Sequence, residues 1–145
     1  MTERISLKRL YSIQPAIPDH IIALQKAANA ELDMKLVYLM KIRASQMNGC
    51  LFCIRLNREE SLKIGETLER LQQLEYWKDS PLYSPEEKAA LTWTEITTFI
   101  ATNGIDDDAY ESLQRHFSER EIVNMTAVIA AINSWNRLCI AAGIQ

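Results

Sequence analysis

The sequence predicts an all-α protein, and three observations carry that prediction. Apolar residues recur at spacings of three and four along most of the 145-residue chain, and no stretch alternates with period two. Glycine and proline are scarce, four of each, and they fall where a helix would start or stop. Two Ser-x-x-Glu capping boxes, Ser84 to Glu87 and Ser118 to Glu121, stand directly before long apolar-periodic runs.

Taken in order, Pro15 and Pro18 precede a helical pattern from about Asp19 to Glu31. Asp33 caps a second helix in which Leu36, Leu39, Met40 and Arg43 recur at helical spacing. Asn48-Gly49 interrupts it, and a third helix starts at or just before Cys50 and runs to about Ile64-Gly65. Thr67 offers the N-cap of a short helix ending near Trp77, and Lys78 to Tyr83 reads as a loop. Ser84-Pro85-Glu86-Glu87 opens the next helix with proline at the first helical position; Asn103-Gly104 stops it. Asp106-Asp107-Asp108 suits a helix N-terminus by charge–dipole attraction, and that helix lasts to about Phe117. The last helix begins at Ser118 and is the longest. With Ile122, Val123, Met125, Val128, Ile129, Ile132, Trp135, Leu138 and Ile140 it is apolar on most faces, which predicts burial on most sides and a share in a subunit interface. The expectation is one oligomerising domain, residues 1–145, with about six or seven helices.

A hydrophobic content of 48% is enough for a core without staples. A net charge of −3 with no basic run longer than Lys8-Arg9 gives no electrostatic footprint for nucleic acid. Met1 to Gln14 lacks the apolar stretch of a secretory signal. No run approaches the roughly 20 apolar residues of a membrane span. The best candidate, Ile122 to Ile140, is interrupted by Asn124, Asn133, Asn136 and Arg137. These readings predict a cytoplasmic protein with neither nucleic-acid nor membrane partners. In that compartment thiols are kept reduced, so a close pair is expected to cycle.

Such a pair exists in Cys50-Leu51-Phe52-Cys53, with Cys139 the only other cysteine. The pair reads as a redox couple, half of a metal site, or two small apolar core residues. At the start of a helix, unpaired N–H groups and the positive dipole end stabilise a thiolate, the reactive form. At i and i+3 one thiol can attack a peroxide and the other can resolve the sulfenic acid into a disulfide. A zinc site would need two more ligands, but there is no second C-x-x-C, and His20 and His116 stand alone. Neither metal nor cofactor is therefore expected. Cys139 reads as inert core and His116 as a cap or solvated residue. Arg43, Asn133, Asn136 and Arg137 are polar in segments expected to be buried, which predicts a satisfied network or a subunit interface. Trp77 and Trp135 read as core or interface aromatics.

Several of these residues recur together in a known order. Ile42 to Cys53 (IRASQMNGCLFC), Gly65-Glu66, Trp77 to Pro81 (WKDSP) and Ser84 to Leu91 (SPEEKAAL) come first. Phe117-Ser118 with Glu121-Ile122-Val123, and Ile132 to Arg137 (INSWNR), follow. Over roughly residues 30–140 this set resembles the AhpD-like alkylhydroperoxidase branch of the carboxymuconolactone decarboxylase family. The resemblance implies an all-helical oligomeric fold, trimeric or hexameric, and thiol-dependent peroxide reduction with electrons from a thiol or dithiol carrier. It further implies that Cys53 forms the sulfenic acid and Cys50 resolves it. The active branch also carries a glutamate twelve residues before the first cysteine and a histidine four residues after the second, as a proton relay. Here those positions are Tyr38 and Asn57. Asn57 cannot accept the thiol proton, and a tyrosine titrating near pH ~10 is a donor at neutral pH. Losing a positioned base costs on the order of 10²–10⁴-fold in rate. Glu60, about 10 Å along the helix axis from Cys53, is too distant for direct transfer. The alternative implied is a non-peroxidatic scaffold of the same fold that exchanges disulfides or senses oxidation. Lactone decarboxylation, the family's name-giving reaction, does not depend on a C-x-x-C pair and would leave this one unexplained.

Overall fold

The computed structural model describes residues 1–145. It contains nine α-helices, one 3-10 segment and no strand. The helices are α1 (Leu7–Ile13), α2 (Ala16–Asn29), α3 (Met34–Asn48), α4 (Leu51–Lys63), α5 (Leu68–Gln73), α6 (Pro85–Thr98), α7 (Ile100–Asn103), α8 (Asp107–Gln114) and α9 (Glu119–Ala142); the 3-10 segment is Leu74–Asp79.

The expected caps form as hydrogen bonds. Asp33 accepts from the Lys35 N–H and Thr67 from Arg70, and in the acidic run Asp106 adds a cap of its own, accepting from Ala109. Both capping boxes close reciprocally at Ser84 and Ser118. The extra helices arise from local breaks and from one unforeseen start. Phe99 leaves helical geometry and splits the expected 85–103 helix in two. A kink at Tyr76 turns the stretch after α5 into 3-10. Ser6 caps the unforeseen α1, accepting from the Arg9 N–H. Two boundaries also move: α2 begins at Ala16, three residues early, and α8 ends at Gln114.

Helix α3 is the centre of the molecule and is buried on two sides. Leu36, Val37 and Met40 pack with Ala90 and Trp93 of α6 and with Met125, Val128 and Ile129 of α9. Leu39 and Ile42 pack instead with Leu71, Leu74, Trp77, Tyr83 and Leu91. Burial of this many large side chains, each stabilising by roughly 1.5–3 kcal/mol, outweighs weak local propensity in the shorter helices. Helix α9 lies against both α2 and α3. It is not buried all round, however, since the apolar Val123 is exposed.

Two ion-pair hubs join the layers. Arg70 pairs with Glu66 (2.9 Å) and with Glu87, which is also the capping glutamate of α6. The Arg70 guanidinium lies over the Tyr83 ring at 4.8 Å. Burial pushes the Tyr83 phenol up to about 12. In the second hub Glu95 accepts from Arg43 (3.0 Å) and from the Trp77 indole N–H (2.8 Å), and pairs with Lys78 (3.3 Å). Thus Trp77 is buried with its N–H satisfied, and Arg43 belongs to this hub.

The other three polar residues singled out, Asn133, Asn136 and Arg137, form a separate network on α9. Asn48 Nδ2 donates to Asn133 Oδ1 (3.0 Å) and Asn136 Oδ1 (2.9 Å), and Asn136 Nδ2 donates to Ser45 Oγ (3.0 Å). Arg137 donates to Asn133 Oδ1 at 2.8 Å. This network joins the C-terminal turn of α3 to α9.

Burial raises the Glu87 and Glu95 carboxyls, but bonds from Arg70 and Ser84, and from Trp77 and Arg43, more than offset it and hold both below the usual range. A carboxyl held low contributes fully above its unfolded pKa of about 4.3 and loses that contribution as pH falls towards its folded value. Urea unfolding should therefore show stability falling as pH drops below about 4.5. Glu95→Gln should lose about 1–3 kcal/mol at pH 7 and show a shallower acid slope. An unchanged slope would contradict the role given to Glu95.

Candidate redox-active site

Gly49 closes α3 in the left-handed region, φ 75°. Its N–H donates to Gln46 (3.2 Å) and the next N–H, of Cys50, donates to Ser45 (3.0 Å), a Schellman ending. Cys50 then serves as the N-cap of α4, and its carbonyl accepts from Ile54 (3.0 Å). Only Gly49 and Cys50 separate the two helices, so the chain turns sharply at the cysteine corner. This puts Cys53 in the first turn of α4, beside the unpaired N–H groups of the helix start.

Cys50 and Cys53 are joined as a disulfide, with Cα atoms 5.3 Å apart. Both are buried. The thiol left free is Cys139, one turn after Asn136 on α9, and it too is buried. The three sulfurs lie within 4.8 Å of one another. Cys139 is thus a core residue as expected, but not an isolated one: the asparagine network brings α9 against the cysteine corner. No sequence spacing links residue 139 to residue 50. Burial holds the Cys139 thiol above its ordinary pKa.

A cavity of about 340 Å³ opens beside the pair, lined by Cys53 and Cys139 but not Cys50. Its apolar wall includes Phe52, Leu56, Ile132 and Leu7 of α1. Tyr11 of α1 stacks on Trp135 at 5.9 Å, and the Trp135 indole donates to Gln25 (3.2 Å), so the unforeseen helix and this half-buried tryptophan wall one side.

The cavity's polar groups are Tyr38, Lys41, Asn57, Glu60 and Gln25. Asn57 is buried and donates to the Cys53 carbonyl at 2.8 Å, so its amide N–H is committed to the backbone. Burial and the Glu60 charge raise the Tyr38 phenol, which stays protonated at neutral pH. Lys41 sits over the Tyr38 ring at 5.3 Å, and burial lowers its pKa, opposed by Glu60. Sequence reasoning missed Lys41 and discounted Glu60. The signal was there: Tyr38 and Lys41 are i, i+3 on α3, and Cys53, Asn57 and Glu60 share a face of α4. His20 and His116 take no part. His20 is exposed and bonded back to the Ala16 carbonyl, and His116 packs edge-on against Phe117.

No helix is long and apolar enough to cross a membrane. Comparison with known proteins agrees with the geometry. The Bacillus subtilis (strain 168) protein YdfG, itself uncharacterised, is 38% identical over 144 residues, 99% of this chain and 96% of that protein. The crystal structure of Agrobacterium tumefaciens ATU0492, a protein of unknown function for which an AhpD antioxidant-defence role is suggested, superposes with a TM-score of 0.92. It is 35% identical and covers 99% of this chain and 97% of that one. The debrominase Bmp8, 20% identical with a TM-score of 0.78 over 92% of this chain and 73% of its own, shares the fold alone. The model of the carboxymuconolactone decarboxylase family matches residues 15–95. The chain belongs to the carboxymuconolactone decarboxylase family and has its AhpD-like all-helical fold.

Proposed function

We propose that the protein is a thiol-dependent hydroperoxide reductase in which Cys53 attacks the peroxide and Cys50 resolves it. The observation that carries this reading is the asymmetry of the pair: Cys53 lines the cavity and Cys50 does not. A hydroperoxide entering the cavity meets the Cys53 thiolate, which displaces the alkoxide and becomes the sulfenic acid. The Cys50 thiol then condenses with it, releasing water and closing the disulfide. A dithiol reductant reopens the pair by exchange, gaining a disulfide itself. The suggested antioxidant role of ATU0492 supports the same reading. The reaction belongs to a reducing compartment such as the cytoplasm. Exposed apolar side chains such as Ile13, Ile17 and Leu51 leave surface for a second copy, so self-association is part of the proposal.

The cavity's own charges take over from the missing relay. Lys41 supplies a cation that favours the thiolate, and Glu60 and Tyr38 supply an acceptor and a donor on the same wall. With Glu60 one helical turn beyond Asn57, a bridging water is needed for proton transfer.

A second reading rests on Tyr38 and Asn57 themselves. Neither supplies a base, and a protein that exchanges disulfides or senses oxidation without turnover does not need one. A mid-range reduction potential with negligible peroxide consumption would favour it.

Reduced protein treated with cumene hydroperoxide should form the intramolecular Cys50–Cys53 disulfide by mass spectrometry, and Cys53→Ser should abolish peroxide turnover with any reductant. Consumption no faster than a free-thiol control would sink the peroxidase reading. Lys41→Met should slow disulfide formation roughly 10–10²-fold, and Asn57→His should speed it by a similar factor. If Lys41→Met reacts at the wild-type rate, the cavity charges play no part.

A further inference from the structure

We propose that the fully reduced protein binds one thiophilic d¹⁰ cation, Zn²⁺ or Cu⁺, through Cys50, Cys53 and Cys139. The proposal needs only the reduced thiols and does not depend on peroxide turnover.

A zinc site appeared unreachable in the sequence because two ligands were lacking. The fold supplies one of them. The three Sγ atoms lie within 4.8 Å of one another, from α4 and from α9, and the asparagine network ties α9 to the end of α3 at Asn48, two residues before Cys50. At a metal–sulfur distance of about 2.3 Å, trigonal coordination needs sulfurs about 4.0 Å apart and tetrahedral coordination about 3.8 Å. Cys50 and Cys53 are bonded in this structure, and reduction lets them separate to van der Waals contact, towards that spacing. The ligand set therefore assembles by side-chain rotation, with no movement of α4 against α9.

The surroundings select the ion. All three cysteines are buried, with Ala142, Ile144, Leu7, Leu10, Phe52 and Ile140 packed around them. The cluster holds no carboxylate or imidazole, so hard cations such as Mg²⁺ and Ca²⁺ find no suitable ligands. The start of α4 favours the negative charge of a thiolate-rich centre. Cys53 and Cys139 face the cavity, which gives the ion an entry path and leaves a fourth position for water or an incoming thiol.

The site is switched by the couple that builds it. A hydroperoxide or disulfide oxidant takes two electrons from the Cys50 and Cys53 thiolates, the sulfur–sulfur bond forms, and the cation leaves with only Cys139 remaining. Oxidation thus releases the ion, and reduction restores the site.

The experiment titrates anaerobic, fully reduced full-length protein with Zn²⁺ against a chromophoric chelator and with Cu⁺ against bicinchoninate. At least one ion should bind at one per chain, with three sulfur ligands by X-ray absorption, and diamide-oxidised protein should bind neither. Cys139→Ser should weaken binding by roughly 10²-fold or more. The same variant should still form the Cys50–Cys53 disulfide, which shows that the fold and the redox pair survive. Failure of reduced wild type to bind either ion, wild-type affinity in Cys139→Ser, or a count of two sulfurs would each overturn the proposal. The sulfur count needs no variant, so it decides even if Cys139→Ser does not fold. Loss of peroxidase activity alone leaves the proposal standing.

Discussion

Asn136 is fully buried, and a buried amide is tolerated only when its hydrogen bonds are made. Its oxygen accepts from Asn48 and its nitrogen donates to Ser45, so both bonds reach the last turn of α3. Removing Asn48 or Ser45 would leave a buried amide atom of Asn136 unpaired at about 1–3 kcal/mol. These bonds dock α9 against the last turn of α3, immediately before Gly49 and Cys50. From that docking follow the place of Cys139, the wall that Ile132 and Trp135 give the cavity, and the burial of the pair itself.

Two ion-pair hubs fix the frame around the site. Glu66, Arg70 and Glu87 form one hub; Trp77, Glu95 and Arg43 form the other. None of these six lines the cavity. They fix the path of the chain between α4 and α6.

Local features were legible wherever the physics is local. The caps at Asp33, Thr67, Ser84 and Ser118, the acidic helix start at Asp106 and the break at Asn48-Gly49 depend on residues within a few positions, and they form where expected. Helix α1 escaped because its seven residues hold no fully buried side chain, and a face covered only in part leaves a faint periodicity. Cys139 is the core residue expected, but its place beside Cys53 was not legible, since that approach depends on α9 docking against α3 and α4. Glu60 was discounted by its distance along the helix axis, yet the cavity runs along that face and joins both residues. Lys41 could be placed on the face of Tyr38 from its i, i+3 spacing, but its lowered pKa arises from tertiary burial, which no local spacing reveals.

The asparagine network joins α9, with Cys139, to the chain leading into the cysteine corner. In the oxidised protein Cys139 is the one free thiol and is buried, so its alkylation reports opening of that corner. The most direct measurement is the iodoacetamide labelling rate of Cys139 in oxidised wild type and in Asn136→Ala. A loss of about 1.4–3 kcal/mol at the corner predicts labelling faster by roughly ten- to a hundredfold in the variant. Equal rates in the two proteins would show that the network does not hold the three sulfurs together.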